Sequence, residues 1–325
     1  MINKLNGMLD RVIPLITPSS LVIGVVLGQR LTPYAFLVAW IFAFMTFSGS
    51  LNSSFKQIKS AIMRPLPLLM TLMVLHVIMP LVAWLTGHLL FSSDPYVITG
   101  LILGLVIPAG ITSFIWVSIY QGNIGLTLSV ILIDSLLSPF IVPVSMYFLV
   151  GAKVSMDVWA MVKGLLWMIV LPSVVGMALN HLTHGSIYST LGKRLAPFSK
   201  LSIGLVVALN GAAVAPYLRH FNLHLAEITL VVLLLAVLGY PFGLLIGKVF
   251  KWDKETLISL TFNGGMRNIS AGAVLAVTYF PSPVAIPVIL GMLFQQLLAS
   301  FYGSILKKLF VIGPNAKGSH LDHTA

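Results

Sequence analysis

The sequence predicts an all-α polytopic membrane protein, and its composition and long apolar runs are the observations that predict it. Of the 325 residues, 58% are hydrophobic and 8% are charged, whereas a soluble domain carries about 25% charged residues. The mean hydropathy is +1.01. Several apolar runs reach the roughly 20 residues that a helix needs to cross the hydrocarbon core of a bilayer. Cysteine is absent, which excludes disulfides and thiolate metal sites.

Ten spans are predicted, with both termini on the cytoplasmic side of the cell inner membrane. The charges support this count, because Lys and Arg accumulate on the cytoplasmic side of membrane proteins. All but five of the 19 Lys and Arg residues fall on the predicted inner side. The exceptions are Arg30, Lys153, Lys163 and Arg219 on the outer side and Arg267 inside the membrane. The predicted spans lie near residues 12–29, 33–50, 65–90, 97–120, 123–150, 158–180, 198–218, 226–248, 255–279 and 284–311.

The two halves of the chain match in span number. Residues 1–150 and 155–312 each contain five predicted spans, so the second half is inverted relative to the first. The fourth span of each half is interrupted by polar and Gly or Pro residues, at 107–114 and at 261–270. Interruptions at corresponding positions of inverted repeats mark the binding sites of secondary transporters. Ordinary kinks, which membrane helices tolerate, are the alternative.

The remaining residues, 313–325, are predicted to form a disordered cytoplasmic tail. The net charge of +11 does not indicate a nucleic-acid partner, because the basic residues sit at predicted helix ends. They act as topology signals and contact anionic lipid.

Three ionisable residues lie at depth in the predicted spans: His76, Asp134 and Arg267. A lone carboxylate such as Asp134 must pair, bind a cation or take up a proton. A static ion pair with Arg267 and a role in coupling or binding both remain open for it. Arg267 is expected in the first turn of the half-helix after the second interruption, where the helix dipole disfavours a cation. It therefore requires an anion, either Asp134 or a substrate carboxylate.

His76 is either a hydrogen-bonded packing residue or part of the ion site. The polar residues near the interruptions are expected to bind substrate and freed backbone groups, or to cap half-helices. They are Thr112, Ser113, Asn263 and Asn268. Metalloprotease, nucleophile-elbow and phosphate-loop motifs are absent, so the sequence does not predict an enzyme.

Taken together, these residues resemble the bile acid:sodium symporter family over nearly the whole chain. The resemblance implies ten helices in a panel and a core domain, with spans four and nine broken and crossing in the core. It implies transport of bile acids or smaller organic anions with two sodium ions. The motifs that carry it are Ile78-Met79-Pro80 with Ala83-Trp84, Ile107-Pro108-Ala109-Gly110 followed by Ser113, Gln121-Gly122-Asn123, Leu137-Ser138-Pro139, and Gly265-Met266 with Asn268.

The sodium ligands that the resemblance implies are only partly present. Ser113 and Thr127 match one site, and they are the expected metal ligands if a sodium site persists. The family's Glu at the second interruption is Asn263 here, and the Gln four positions later is Arg267. The other departures are Phe114, Ile131 and Leu75 in place of Asn, a hydroxyl residue and Gln. A hard cation wants about five or six oxygen ligands, so the sequence predicts degenerate sodium sites.

The predicted function is therefore secondary active transport of small organic anions by alternating access, independent of two sodium ions. Arg267 replaces a cation, and Asp134 balances it or relays a proton. Substrate binding is assigned to Thr112, Ser113, Asn263, Arg267 and Asn268. Ion binding or coupling is assigned to Ser113, Thr127, Asp134, Asn263, Arg267 and His76. No cofactor is predicted beyond Na⁺ or H⁺ as coupling ion, and the protein is a monomer or a homodimer. A sodium-coupled symporter is the alternative, and an intramembrane enzyme or a channel belongs to a different class.

Overall fold

Most of the residues that the computed structural model describes are helical, and the described residues are 16, 18–54, 65–151, 154–219 and 222–310. Short 3₁₀ turns at Thr32–Tyr34 and Ser282–Val284 connect some of the helices. The predicted tail at 313–325 lies outside the described residues. The helices are α1 (18–26), α2 (Gly28–Leu31), α3 (Leu37–Ser50), α4 (Pro65–Leu90), α5 (Pro95–Val106), α6 (Ser113–Ile119), α7 (Ile124–Val150), α8 (Val158–Leu182), α9 (Tyr188–Leu218), α10 (Leu223–Val249), α11 (Lys254–Gly265), α12 (Ile269–Tyr279) and α13 (Ala285–Phe310).

A multi-pass membrane protein is confirmed by helices that are long and apolar enough to cross a bilayer. The described part of the chain contains six of them, or seven if Gly28–Tyr34 and α3, which meet at a 67° bend, form one span. The count of ten spans and the inverted repeat stay predictions. The fourth and ninth predicted spans are each divided between two shorter helices, α5 with α6 and α11 with α12. Neither half is long enough to cross a bilayer alone.

Two of the long helices contain a turn of π-helix shortly before a proline. In α4 the π-helical turn is Val74–Ile78 and precedes Pro80, and in α8 it is Leu166–Val170 and precedes Pro172. Proline has no N–H, and its ring clashes with the carbonyl four residues earlier. A locally wider turn accommodates this clash. His76 occupies the π-helical turn of α4, so its backbone is displaced from regular helix.

The two interruptions pair with each other through their backbones. The N–H of Gly110 donates to the carbonyl of Met266 (3.1 Å), and the N–H of Asn268 donates to the carbonyl of Pro108 (2.8 Å). The result is an isolated antiparallel bridge between Ala109 and Arg267. Irregular backbone at membrane depth needs such partners, because no water is available to satisfy it. The predicted breaks in these two spans are therefore confirmed, and we call the paired segments 107–112 and 266–268 the crossover.

Gly110 makes this close approach possible. A Cβ at this position would lie 2.6 Å from the carbonyl oxygen of Arg267 and 2.9 Å from its carbonyl carbon. We expect Gly110→Ala to lower the free energy of unfolding by about 1–3 kcal/mol, the usual cost of overpacking.

Thermal unfolding in detergent, followed by circular dichroism, measures this effect. Gly104→Ala in α5 is the matched control, because its Cβ would meet Val288 only at 3.9 Å. Alanine is also favoured over glycine inside a helix. Equal unfolding temperatures for the two variants would contradict the packing argument.

Candidate functional site

The Arg267 side chain is held at the crossover by backbone carbonyls. Its Nε donates to the carbonyl of Leu105 (3.1 Å), and its Nη1 donates to the carbonyls of Gly264 (2.9 Å) and Asn263 (3.5 Å). The residue is 3% exposed. The guanidinium is thus enclosed by protein at the point where the two broken spans meet.

These carbonyls belong to the C-terminal turns of α5 and α11. The last carbonyls of a helix have no partner within the helix, and they form the negative end of its dipole. The expectation that Arg267 lies in the first turn of the following half-helix is wrong. The residue lies in the break before α12, and its side chain reaches back to two helix C-termini, where a cation is favoured. An acidic partner is therefore not required to hold it.

Arg267 also has contacts that the sequence analysis missed. Its backbone N–H donates to Oε1 of Gln295 (3.0 Å) in α13. The neighbouring Gln296 accepts a hydrogen bond at Oε1 from Nε1 of Trp116 (3.0 Å). The sequence feature that could have indicated these contacts is the pair of adjacent amides, Gln295 and Gln296, inside the apolar run of the last predicted span. The Nη2 atom of Arg267 is buried and makes no hydrogen bond within the described residues.

Asp134 pairs with His76 and with the crossover. Its Oδ1 lies 2.5 Å from Nε2 of His76, and its Oδ2 accepts the backbone N–H of Ala109 (2.7 Å). The Asp134 side chain is 0% exposed and the His76 side chain 6%. Within the described ranges no ion pair of 4 Å or less joins Asp134 to Arg267. The alternative of a static ion pair between Arg267 and Asp134 is therefore wrong. The partner of Asp134 is His76, which belongs to α4.

The residues matched to the sodium sites form a buried chain of hydrogen bonds. Oγ of Ser113 donates to Oδ1 of Asn263 (2.8 Å), and Nδ2 of Asn263 donates to Oγ1 of Thr127 (3.1 Å). All three residues are 0% exposed. The amide of Asn263 therefore bonds to both hydroxyl groups, accepting from Ser113 and donating to Thr127. Elsewhere in the described ranges, no group of three or more His, Asp or Glu side chains is arranged to hold a metal ion.

A cavity of about 270 Å³ lies between the crossover and the helices α3, α8 and α9. Three of the predicted substrate residues line it, namely Thr112, Arg267 and Asn268, whereas Ser113 and Asn263 do not. Oγ1 of Thr112 is a buried atom that has no hydrogen-bond partner in the part of the chain that the structure describes. Asn268 is the N-cap of α12 and accepts the N–H of Ala271 (3.2 Å). Other polar residues of the lining are Thr46, Ser50, Ser53, Ser135, Ser173, Ser199, Ser270, Gln295 and Gln296.

Comparison with known proteins also indicates a transporter, as the two interrupted spans do. Residues 38–221, more than half of the chain, match the model of the sodium bile acid symporter family. The chain belongs to this family. Proteins of the sodium bile acid symporter family are transporters, so this chain is a transporter and not an enzyme.

Individual relatives extend the match over most of the chain. YbaS of Bacillus subtilis (strain 168), an uncharacterized protein, is 52% identical over 295 residues, covering 91% of this chain and 96% of YbaS. YocS of the same organism, an uncharacterized sodium-dependent transporter, is 23% identical over 284 residues, covering 84% and 87%. The rice (Oryza sativa subsp. japonica) probable sodium/metabolite cotransporter BASS1, chloroplastic, is 26% identical over 263 residues, covering 80% of this chain and 63% of the rice protein.

Proposed function

We propose that this protein is a secondary transporter of small organic anions in the cytoplasmic membrane, and that Arg267 takes the place of a bound cation. One observation supports this proposal above all others. The guanidinium contacts three backbone carbonyl oxygens at the C-termini of two half-helices. Carbonyl oxygens are ligands that hard cations use in proteins. A tethered guanidinium supplies the same positive charge without an ion from solution.

The cavity beside the crossover suits an organic anion. The N-terminal residues of α12, Asn268 to Ser270, line this cavity, and a helix N-terminus favours negative charge. Thr112 also lines the cavity, and Arg267 adds positive charge. Alternating access then consists of movement of the crossover helices relative to α3, α8 and α9. The inverted repeats of residues 1–150 and 155–312 provide the two equivalent states.

A sodium ion has no obvious place among the matched residues. Ser113 and Thr127 are already bonded to the side chain of Asn263. Asn263 also brings no negative charge to the site, unlike the Glu that the family resemblance implies there. We therefore propose transport that does not depend on two sodium ions.

Sodium-coupled symport is the second candidate. Two relatives are named for sodium-dependent transport, YocS as a sodium-dependent transporter and the rice BASS1 protein as a probable sodium/metabolite cotransporter. In that case backbone carbonyls of the crossover would replace the missing side-chain ligands.

Uptake into proteoliposomes distinguishes the two candidates. Substrates are first found by a thermal-shift screen of organic acids, because a ligand at 100 times its Kd stabilises the folded state by about 2.7 kcal/mol. The stabilising acid is then supplied with and without a sodium gradient. We expect equal initial rates. Strict dependence on sodium would overturn the resident-cation proposal and favour the second candidate.

A double variant provides a gain-of-function test. Asn263→Glu with Arg267→Gln restores the two residues that the family resemblance implies at these positions. We expect sodium to raise the unfolding temperature of this variant by several degrees, since about 1 kcal/mol shifts the midpoint by about 2–4 °C in a protein of 150–250 residues. The wild type should not respond. Asn263→Gln with Arg267→Gln is the control, because it removes the guanidinium without adding a carboxylate. A sodium response of equal size in the control would exclude the carboxylate as the cause.

A further inference from the structure

The one buried acid–base pair in the described part of the membrane domain is the pair of His76 and Asp134, and it is attached to the crossover. Oδ1 of Asp134 contacts Nε2 of His76, and Oδ2 accepts the N–H of Ala109, which lies in the break between α5 and α6. The pair therefore connects α4, α7 and the crossover. Neither side chain lines the large cavity. Direct substrate contact does not explain why these groups lie at this depth.

The remaining ring nitrogen of His76 can accept a proton. Nδ1 is buried and has no hydrogen-bond partner among the described residues. With Nε2–H directed at Asp134, a neutral ring keeps a free lone pair on Nδ1, and the pair carries one negative charge in total. Adding a proton at Nδ1 forms an imidazolium and makes the pair neutral. The pair thus has two states that differ by one proton, within a protein whose charged groups at this depth are few.

Arg267 places a positive charge near the pair. Its backbone is bridged to Ala109, which donates its N–H to Asp134, although no ion pair of 4 Å or less joins the two side chains in the described residues. Without substrate, the deprotonated pair and Arg267 together are neutral. A bound anion would leave an excess negative charge at the crossover, and protonation of His76 would remove it. Binding of the anion and of the proton should therefore favour each other, and such coupling is reciprocal.

We propose that His76 and Asp134 form the binding site of a proton that is transported together with the anion. The proton bonds to Nδ1 of His76 on one side of the membrane and leaves the same atom on the other side, so one N–H bond forms and later breaks. The hydrogen bond from the N–H of Ala109 to Asp134 links the crossover to the pair, so a change in the net charge of the pair acts directly on the crossover. This inference rests on the proposed transport of organic anions and names its coupling ion.

The other titratable groups near the pair do not provide an equivalent site. The described titratable groups at similar depth near α4 and α7 are Arg267, in the crossover, and Tyr240, on α10, and Tyr240 donates its hydroxyl proton to the carbonyl of Gln295. The rest lie near helix ends: His88, Asp94, Tyr96, Tyr120, Tyr147, Asp157, Lys163, His181, His184, His224, Glu227, Lys248, Lys251, Asp253, Lys254 and Glu255.

Nitrogen-15 NMR of histidine-labelled protein in detergent tests the proton site without a known substrate. Ring nitrogen shifts distinguish a singly from a doubly protonated imidazole. The His76 signals are assigned by their loss in His76→Gln and their retention in His88→Gln, a control on the same helix. The sequence has eight histidines. If His76→Gln does not fold, all the other histidines are replaced, so that the remaining histidine signals belong to His76.

We expect the His76 ring to change from singly to doubly protonated as the pH falls. Asp134→Asn should change the pH range of this conversion, because an adjacent carboxylate favours the imidazolium. A ring that keeps one protonation state between about pH 5 and pH 9, outside which model histidine no longer titrates, would overturn the proposal. A midpoint that is the same in Asp134→Asn would also overturn it.

The coupling to anions is tested on the same sample with taurocholate, pyruvate and isethionate as probes. A probe that stabilises the protein should raise the His76 midpoint, and a stabilising probe that leaves the midpoint unchanged contradicts coupling. This failure is separable from failure of the proposed function. If the protein takes up an anion without sodium but the His76 ring keeps one protonation state, only the proposed proton site is excluded. If the ring changes its protonation state but uptake strictly requires sodium, the resident-cation proposal is excluded instead.

Discussion

Replacing Arg267 by glutamine is expected to reduce sodium-free anion uptake at least about tenfold. The substitution removes the donors to Leu105, Gly264 and Asn263. A buried polar group that loses its partner costs about 1–3 kcal/mol, and 1.4 kcal/mol corresponds to a factor of ten. Initial uptake rates in proteoliposomes measure the loss. Sodium should partly restore the rate, because the vacated carbonyls can then bind an ion.

Arg267→Lys is the matched control for this experiment. Lysine keeps the positive charge, but its ammonium cannot reproduce the planar fork of the guanidinium. We expect uptake by Arg267→Lys to lie between that of the wild type and that of Arg267→Gln, without a sodium response. Unchanged transport by Arg267→Gln would show that the guanidinium is not a resident cation.

Replacing Asp134 by alanine is expected to lower the free energy of unfolding by about 2–6 kcal/mol, because two buried donors lose their acceptor and each such loss costs about 1–3 kcal/mol. The substitution leaves Nε2 of His76 and the N–H of Ala109 without a hydrogen-bond acceptor. Unfolding in detergent, followed by circular dichroism with increasing denaturant, measures this effect.

Ser138→Ala is the control for the Asp134 variant, because Ser138 is also buried in α7 and its Oγ donates to the carbonyl of Ser135 in the same helix (2.8 Å). Its loss should cost about 0.5–1.5 kcal/mol, the net worth of an ordinary hydrogen bond. A double-mutant cycle with His76→Ala isolates the pair, and residues in direct contact typically couple by about 0.5–3 kcal/mol. Additive effects of the two substitutions would mean that the pair contributes no interaction energy.

Much of the fold follows from hydropathy and from a few residues that break helices. The predicted spans 65–90 and 123–150 correspond to α4 (Pro65–Leu90) and α7 (Ile124–Val150). The interruptions at 107–114 and 261–270 contain the breaks that the structure has at 107–112 and 266–268. These features are local, because they depend on apolar length and on Gly and Pro within an apolar run.

The candidate site was predicted less completely. The sequence identified the three deep ionisable residues but not their partners. It assigned Ser113 and Asn263 to the substrate, whereas both lie in a buried chain with Thr127. Asn268 was recognised as either a ligand or a cap, and it is the cap of α12 as well as part of the cavity lining. Gln295 was not singled out, since one amide in an apolar helix does not reveal which segment it faces.

By itself, the sequence determined that this chain is a membrane transporter with two interrupted spans and with a cation, a carboxylate and an imidazole at depth. Only the tertiary structure decided which of these groups meet. Arg267 interacts with helix C-termini rather than with Asp134, and Asp134 interacts with His76 and Ala109. The physical reason is that such contacts join residues far apart in the chain. They depend on how the broken helices pack against their neighbours, and hydrophobic patterning within one segment carries no information about that packing.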